Sequence, residues 1–433
     1  MHNVIICRYA EIAIKGKNRG NFEGLLVDHI RGLLGAIDKL KVRRIRGRVL
    51  IGLEGGATFS PEQVELAKLQ LPKAFGIQTF SLGTAVPAEL EAIKAAVAAN
   101  IDAMLEDTRR RLKKPQLSFR VRARRSDKTF PLRSKALEVE LADLVIINHM
   151  ELTVDLNAAD VSLYVEVGRE KAFIYFDTLE GPGGLPLDSN PPVLCLLSGG
   201  IDSPAAAYLI MKRGCRADFL TFHSSPYTPP ESLEKVRDIV RVLNSFQLKG
   251  TLFACNFSEV QKLIRDHCVE RFRTLLYRRA MFRLAERVAA RNGDKALVTG
   301  ECVGQVASQT LVNLANIDTV TSSLVLRPLI GLDKLDIIKI AEKIHTFEIS
   351  KLQVPDSCTV FAPTSPSTAA PRRFLELDEA KLDPAALLEL AWSHSAAIDL
   401  ETMAETPLST LFPPLPERPA RRANVHREGE FPP

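Results

Sequence analysis

The chain has 433 residues, too many for a single hydrophobic core, and this length suggests about three domains. Its 46% hydrophobic and 25% charged residues are typical of a soluble globular protein, and no apolar run approaches the roughly 18 residues needed to span a bilayer. The N-terminus lacks the pattern of a cleavable signal. Seven widely spaced cysteines without a C-x-x-C pair argue against a disulfide framework and a zinc ribbon, and they favour the reducing cytoplasm.

The first predicted domain covers residues 1–62. Hydrophobic periodicity predicts a strand, an amphipathic helix, two strands and a helix, at residues 3–8, 22–37, 42–45, 49–53 and 61–69. This order is typical of a small α+β unit of the ferredoxin-like kind.

The second predicted domain, residues 63–178, is an α/β unit with a row of arginines. Strands are predicted at residues 78–82, 118–123, 161–167 and 172–176, and helices at 88–105 and 132–148. Alternation places Arg120, Arg122 and Arg124 on one face of a sheet, and the stretch of residues 109–125, which ends in Arg125, contains no acid. We therefore expect these arginines to bind RNA, mainly through its phosphates because aromatic residues are sparse.

A Gly- and Pro-rich linker at residues 179–192 precedes the third predicted domain, residues 193–373. Strands alternate with helices there, which predicts a doubly wound parallel sheet with ligands at the carboxyl ends of its strands. Residues 374–433 form a C-terminal extension with one helical pattern at 384–392 and a Pro-rich, loose tail.

The third domain opens with the sequence S-G-G-x-D-S at residues 198–203, directly after an apolar strand. Gly199 and Gly200 allow the backbone to approach a ligand closely, and the start of the following helix favours an anion such as pyrophosphate. Asp202 is a candidate ligand for the Mg²⁺ that accompanies a nucleotide. No Walker motif G-x-x-x-x-G-K-[ST] occurs in the chain.

Two more segments support a nucleotide site: a T-G-E turn within residues 298–310 and a cysteine-containing loop at residues 355–363. With the order of the preceding domains, these motifs resemble the ThiI family of tRNA 4-thiouridine synthetases over residues 1 to about 370. The resemblance implies a ferredoxin-like domain, a THUMP RNA-binding domain and an ATP-pyrophosphatase (PP-loop) domain. It also implies that ATP and Mg²⁺ are used to convert a tRNA uridine, at position 8 by family analogy, into 4-thiouridine.

The resemblance further implies which residues contact the nucleotide. They are Leu196, Leu197, Ser198, Gly199, Gly200, Ser203, Thr221, Phe222, Arg278, Gly300 and Gln309. Asp202 and Lys334 are placed like catalytic residues of the family. Arg278 and Lys334 suit the role of counter-charges to an α-phosphate, although each alone also fits an ordinary charge on a helix surface.

Sulfur delivery is assigned by resemblance to Cys358, whose Pro-rich surroundings predict an accessible loop. Longer family members append a rhodanese-like domain, and we expect that domain to be absent because no cysteine follows Cys358. A PLP-dependent cysteine desulfurase would then supply sulfur. Cys302, in the T-G-E turn, is either a resolving thiol or a size-matched substitution. The sequence leaves open whether the chain forms a homodimer.

Two alternatives use the same motifs differently. A PP-loop ligase or amidating enzyme, acting on tRNA or a small molecule, would need the loop at residues 198–203 but no Cys358. A non-catalytic RNA-binding or sulfur-relay protein would carry only a vestigial nucleotide loop, and the intact S-G-G-x-D-S sequence argues against it.

Overall fold

The chain folds into two β-sheets with helices packed on them. The structure is a computed structural model, and it describes residues 2–45, 47–355, 357 and 360–413. The strands of the first sheet are Val4–Arg8 (β1), Leu40–Ile45 (β2), Arg48–Leu53 (β3), Thr79–Pro87 (β4), Ser118–Arg125 (β5), Thr153–Val154 (β6), Val161–Val167 (β7), Lys171–Tyr175 (β8) and Leu179–Glu180 (β9). Its helices are Arg19–Leu33 (α1), Pro61–Gln70 (α2), Leu90–Leu112 (α3) and Ser134–Asn148 (α4).

The second sheet contains the strands Asn190–Leu196 (β10), Cys215–His223 (β11), Leu252–Asn256 (β12), Leu297–Val298 (β13), Val325–Leu326 (β14), Ser395–Ile398 (β15) and Glu405–Pro407 (β16). The helices of this part are Asp202–Met211 (α5), Glu231–Gln247 (α6), Ser258–His267 (α7), Arg273–Asn292 (α8), Leu311–Asp318 (α9), Lys334–Lys343 (α10), Phe347–Ser350 (α11), Arg372–Glu379 (α12), Pro384–Ser393 (α13) and Leu408–Leu411 (α14).

The first sheet joins the two predicted N-terminal units into one. Its order is β2-β3-β1-β4-β8-β7-β5-β6, with β9 also paired to β4, and the ferredoxin-like arrangement of β1 to β4 is confirmed. The strand β4 pairs with β1 through Thr79–Gly83 and with β8 through Gly83–Pro87. At Gly83 an added Cβ would lie 2.5 Å from the Ile174 carbonyl oxygen, so this junction requires glycine.

Helix α2 belongs to the hydrophobic core of the first unit. Ala67 on α2 and Leu71, directly after its last residue, lie in the same buried cluster as Ile5 and Ile30. The predicted boundary between residues 62 and 63 therefore falls inside a helix that packs as one piece, and the domain boundaries remain predictions.

The second sheet has the order β14-β13-β10-β11-β12-β15-β16. Its first five strands are parallel, which confirms the predicted doubly wound parallel sheet. The strands β15 and β16 come from the C-terminal extension and pair antiparallel at the edge next to β12. The extension thus completes the sheet, which the sequence pattern did not indicate because both strands are very short.

A buried ion-pair cluster attaches the extension to the long helix α8. Glu379 accepts hydrogen bonds from Arg279 at 3.0 and 2.6 Å and from Arg283 at 2.7 and 3.1 Å. Burial by itself raises the pKa of Glu379, but the bonds from the two arginines outweigh this effect and leave the pKa lowered. Helix α12, which lies across the predicted boundary at residue 373, is therefore fixed to helix α8.

The variant Glu379→Ala is expected to reduce the free energy of unfolding by about 3–5 kcal/mol, because it leaves two arginines without their buried partner. Chemical denaturation followed by circular dichroism measures the change. The control is Glu389→Ala, which breaks an exposed pair with Arg287 and should cost less than about 1 kcal/mol. Equal losses in the two variants would contradict the anchoring role of Glu379.

None of the helices in the described ranges combines the length and the apolar character needed to traverse a bilayer.

Candidate active site

The loop at residues 198–203, called the phosphate loop below, connects the carboxyl end of β10 to the N-terminus of α5. Hydrogen bonds within the loop hold its shape: the Ser198 amide donates to Ser203 Oγ at 2.9 Å, and the Gly200 amide donates to Ser198 Oγ at 3.3 Å. The loop lies where parallel strands end and a helix begins, so its amides and the helix dipole favour an anion.

A cavity of about 490 Å³ opens beside the phosphate loop. Its walls combine the ends of β10 and β11, the helix α8 and the T-G-E turn. The sequence-predicted residues that line it are Leu196, Leu197, Ser198, Asp202, Ser203, Phe222, Arg278, Gly300 and Gln309. Residues that approach from segments far apart in sequence therefore share one crevice, with apolar walls from Met281 and Phe282 and polar groups near the loop.

A second, smaller cavity of about 230 Å³ adjoins the same loop. Gly199, Gly200 and Thr221, the remaining predicted nucleotide contacts, line it together with Ser198 and Phe222, which both cavities share. The two cavities thus flank the phosphate loop.

The T-G-E turn packs directly against the first turn of α5. An added Cβ at Gly300 would lie 2.6 Å from the backbone nitrogen of Ser203, so only glycine permits this approach. The close contact brings the turn and the phosphate loop together as neighbouring walls of the larger cavity.

Asp202 forms the centre of a small polar cluster at the start of α5. Its Oδ1 lies 2.5 Å from Lys334 Nζ, and its Oδ2 accepts a hydrogen bond from Gln305 at 2.7 Å. Lys334 is the first residue of α10. It does not line the larger cavity itself, but its ammonium group pairs with Asp202, which does. Two of the three predicted catalytic residues, Asp202 and Lys334, are therefore in direct contact.

Arg278 is held by a buried carboxylate at the base of the larger cavity. Its Nη1 atom lies 2.8 Å from Glu301 Oε1 and donates to Ser308 Oγ at 3.3 Å. Glu301 is 1% exposed, and its other oxygen accepts from Arg327 at 2.7 Å and from Thr299 at 2.9 Å. One carboxylate thus pairs with two guanidinium groups; the Arg278 contact is an ion pair without hydrogen-bond geometry, and the Arg278 side chain stays 25% exposed, within reach of an anionic ligand.

Cys302 is buried behind the T-G-E turn. Its backbone amide donates to the Gln309 side chain at 3.2 Å, and its thiol contacts the carbonyl oxygens of Leu329 and Leu332 at 2.9 and 3.1 Å. Burial raises the pKa of the Cys302 thiol, so the reactive thiolate is disfavoured. This environment favours the size-matched substitution over the resolving thiol.

Cys358 lies outside the described residues, and so its placement is not given. The preceding residue, Ser357, is buried and lines both cavities. Its hydroxyl lies 2.6 Å from Ser224 Oγ, and its carbonyl accepts from Gln261 at 2.9 Å. The chain therefore enters the cysteine-containing loop at the edge of the crevice.

The predicted arginine row lies on the other sheet and not in the crevice. In β5, Phe119, Val121 and Ala123 are buried in the core beneath α3 and α4, whereas Arg120, Arg122 and Arg124 occupy the opposite face. Arg120 donates to the Asn157 carbonyl at 2.7 Å and Arg122 to the Leu156 carbonyl at 2.6 Å.

Two features of this face differ from the sequence expectation. Arg122 is in register with Tyr164, which stacks on Tyr175 at a ring distance of 5.1 Å, so aromatic rings lie beside the row after all. Arg125 points to the other side of β5 and donates to the Phe130 carbonyl at 2.9 Å, so it does not join the row. Its contact with RNA remains a prediction.

The site also contains residues that were not predicted, among them the charged and polar side chains of Lys235, Glu301, Gln305 and Arg327. Glu301 and Gln305 lie within the motif at residues 298–310, so that segment already indicated a place near the predicted nucleotide site. Lys235 and Arg327 carry no local signal, because a lysine in a helix and an arginine after a strand are ordinary surface residues.

Three family models match successive parts of the chain. They are described as "ThiI ferredoxin-like domain" at residues 4–81, "THUMP domain" at residues 87–177, and "Thiamine biosynthesis protein (ThiI)" at residues 189–383.

Curated relatives extend over nearly the whole chain. A probable tRNA sulfurtransferase of Brevibacillus brevis is 38% identical over 411 residues, which are 95% of this chain and 100% of the relative. A probable tRNA sulfurtransferase of Caldanaerobacter subterraneus subsp. tengcongensis is 40% identical over 385 residues, with 88% and 96% covered.

Two solved structures share the fold. A crystal structure of a 4-thiouridine synthetase in complex with RNA and bound ATP superposes with a TM-score of 0.81 at 38% identity and covers 92% of this chain and 100% of that one. PH1313 from Pyrococcus horikoshii Ot3 superposes with a TM-score of 0.59 at 27% identity, with 79% and 99% covered.

Proposed function

This chain belongs to the ThiI family of tRNA sulfurtransferases, and we propose that it adenylates a tRNA uridine with ATP and replaces its O4 with sulfur to give 4-thiouridine. The observation that supports this most directly is the crevice beside the phosphate loop, which Asp202 and Arg278 both line, with Lys334 paired to Asp202. Position 8 as the target rests on family analogy. A cytoplasmic location is part of the same proposal, because the seven cysteines lack any disulfide pattern.

In the first half-reaction, the uridine O4 attacks the α-phosphorus of ATP and pyrophosphate leaves. The phosphate loop would bind the departing phosphates through the amides at Gly199 and Gly200. Arg278 and Lys334 would offset the negative charge that develops around the α-phosphorus. Glu301 holds Arg278 in place for this role, so the positive charge is oriented before the substrate arrives.

Asp202 fits a role in holding the Mg²⁺ that accompanies ATP. Its carboxylate lines the cavity, and one carboxylate with several phosphate oxygens is a usual ligand set for this ion. Among the described residues, no three His, Cys, Asp or Glu side chains form a metal cluster, so the remaining ligands would be phosphate oxygens and water. When bound, the ion would supply charge neutralisation for the leaving pyrophosphate.

In the second half-reaction, a persulfide on Cys358 would supply the sulfur. Its terminal sulfur either attacks C4 directly and expels AMP, or leaves first as sulfide. Both routes need a second thiol as reductant, because an S–S bond must be cleaved with two electrons. A PLP-dependent cysteine desulfurase is proposed as the source of the persulfide sulfur.

Reconstitution tests the function as a whole. The protein is incubated with tRNA, ATP, Mg²⁺, cysteine, a thiol reductant and a cysteine desulfurase, and the nucleosides are identified by mass. The expected product is 4-thiouridine with one pyrophosphate released per sulfur inserted. An amidated base, or no modified base together with no pyrophosphate release, would overturn the proposal in favour of a ligase or a non-catalytic protein.

The arginine row of β5 is proposed to bind tRNA. A triple substitution of Arg120, Arg122 and Arg124 by Gln is expected to weaken tRNA binding and to reduce the slope of log K against log salt by about 3, roughly one for each arginine that no longer neutralises a phosphate. Binding is measured by filter retention at several salt concentrations, and thermal unfolding controls for folding. An unchanged slope would mean that other surfaces of the molecule bind the phosphates.

A further inference from the structure

Lys235 lies on α6, next to Gly199 of the phosphate loop. Its aliphatic chain packs on Gly199, where an added Cβ would come within 3.2 Å of Lys235 Cδ and 3.5 Å of its Nζ. Lys235 is also part of the wall of the 230 Å³ cavity, with Gly199 and Gly200. Its ammonium group is therefore next to the backbone that is proposed to bind pyrophosphate.

The same ammonium group connects α6 to a second segment. It donates to the carbonyl oxygens of Ser350 and Leu352, both at 2.8 Å. One helical turn earlier on α6, Ser232 donates to the Pro355 carbonyl at 2.9 Å. Residues 350–355, called the anchored segment below, are thus held along one face of α6.

The anchored segment is in turn linked to the phosphate loop, because Ser350 Oγ donates to the Gly200 carbonyl at 3.3 Å. Lys235 therefore bonds to one partner of this contact, Ser350, and packs on Gly199, the residue that precedes the other partner. A loop with two successive glycines has few side chains to hold its shape, so its geometry depends on such outside support. A cation at this point also attracts an anion bound by the loop.

We propose that Lys235 is an ATP-positioning residue that holds the phosphate loop and the anchored segment in one arrangement and faces the phosphates of bound ATP. This inference rests on the proposed function and adds a residue to it. Because the chain continues from the anchored segment towards Cys358, the same contact sets where the sulfur-carrying loop begins relative to the nucleotide. Lys235 thereby links the two half-reactions.

The test compares four proteins: wild type, Lys235→Met, Lys235→Arg and Lys249→Met. Methionine keeps the packing on Gly199 but removes the charge and the donors, whereas arginine keeps both. Lys249 is exposed just beyond the end of α6 and serves as the charge-matched control. Each protein is assayed for tRNA-dependent pyrophosphate release at varied ATP, for 4-thiouridine formed per pyrophosphate, and for its thermal unfolding midpoint.

Lys235→Met is expected to raise KM for ATP about tenfold or more and to lower the yield of 4-thiouridine per pyrophosphate, with Lys235→Arg recovering most of both. Lys249→Met should match wild type. A Lys235→Met protein with wild-type KM and yield overturns the inference, and so does a loss that follows the unfolding midpoint and is not recovered by arginine. Failure of wild type to release pyrophosphate would instead overturn the proposed function. If Lys235→Met does not fold, Lys235→Gln replaces it under the same criteria.

Discussion

Replacing Asp202 by alanine is expected to lower tRNA-dependent pyrophosphate formation by about 10²–10³-fold, the range seen when one group that stabilises a transition state is removed. Asp202 is proposed to hold the Mg²⁺ on the phosphates. Its carboxylate also pairs with Lys334, whose Nζ lies 2.5 Å from Asp202 Oδ1. The substitution removes both effects at once. Pyrophosphate release from labelled ATP, with saturating tRNA, measures the loss.

The matched control is Asp336→Ala, which removes an exposed carboxylate paired with Lys339 on α10. It should keep wild-type rates, and both variants should bind tRNA as wild type does, because the arginine row lies on the other sheet. A fall in tRNA affinity equal to the fall in rate would contradict the assignment of Asp202 to the adenylation step.

Replacing Cys358 by serine is expected to separate the two half-reactions. Serine cannot carry a persulfide, so 4-thiouridine should fall below detection, while single-turnover pyrophosphate formation should remain within a few fold of wild type. Nucleoside mass analysis and pyrophosphate release are measured on the same samples. Full thiolation by this variant would exclude the persulfide route, and loss of both activities would contradict the separate roles of Asp202 and Cys358.

Cys215→Ser is the control for cysteine substitution. Cys215 is partly exposed and begins β11, at the end of the sheet opposite the phosphate loop. The variant should retain both activities. A comparable loss of thiolation would indicate that Cys215 takes part in sulfur transfer.

The local patterns of the chain predicted its elements well wherever periodicity was long and regular. The strand at residues 161–167 agrees with β7 in both bounds, and the alternation of β5 predicted which arginines share a face. The short strands β15 and β16 could not be predicted, because four and three residues are too few to show a period and their pairing with β12 is supplied by the fold.

For the candidate site, the motifs indicated which segments meet, and the fold decided which side chains touch. The ion pair of Asp202 with Lys334 joins residues 132 positions apart in sequence, and Lys235 reaches the carbonyl of Leu352 across 117 positions. No local pattern carries such a contact. It arises because the strands of a parallel sheet end at one edge, where successive loops converge.

By itself, the sequence determined the S-G-G-x-D-S loop between a buried strand and a helix, the arginine face of β5 and the parallel order of the third domain, because each follows from short-range sterics and hydrophobic periodicity. The tertiary structure alone decided that β4 joins the two N-terminal units in one sheet, that Glu379 fastens the C-terminal extension to α8, that Glu301 pairs with Arg278, and that Lys235 bonds to the Ser350 carbonyl. These features depend on pairing and burial between distant segments, so they stabilise the protein only after the chain has folded.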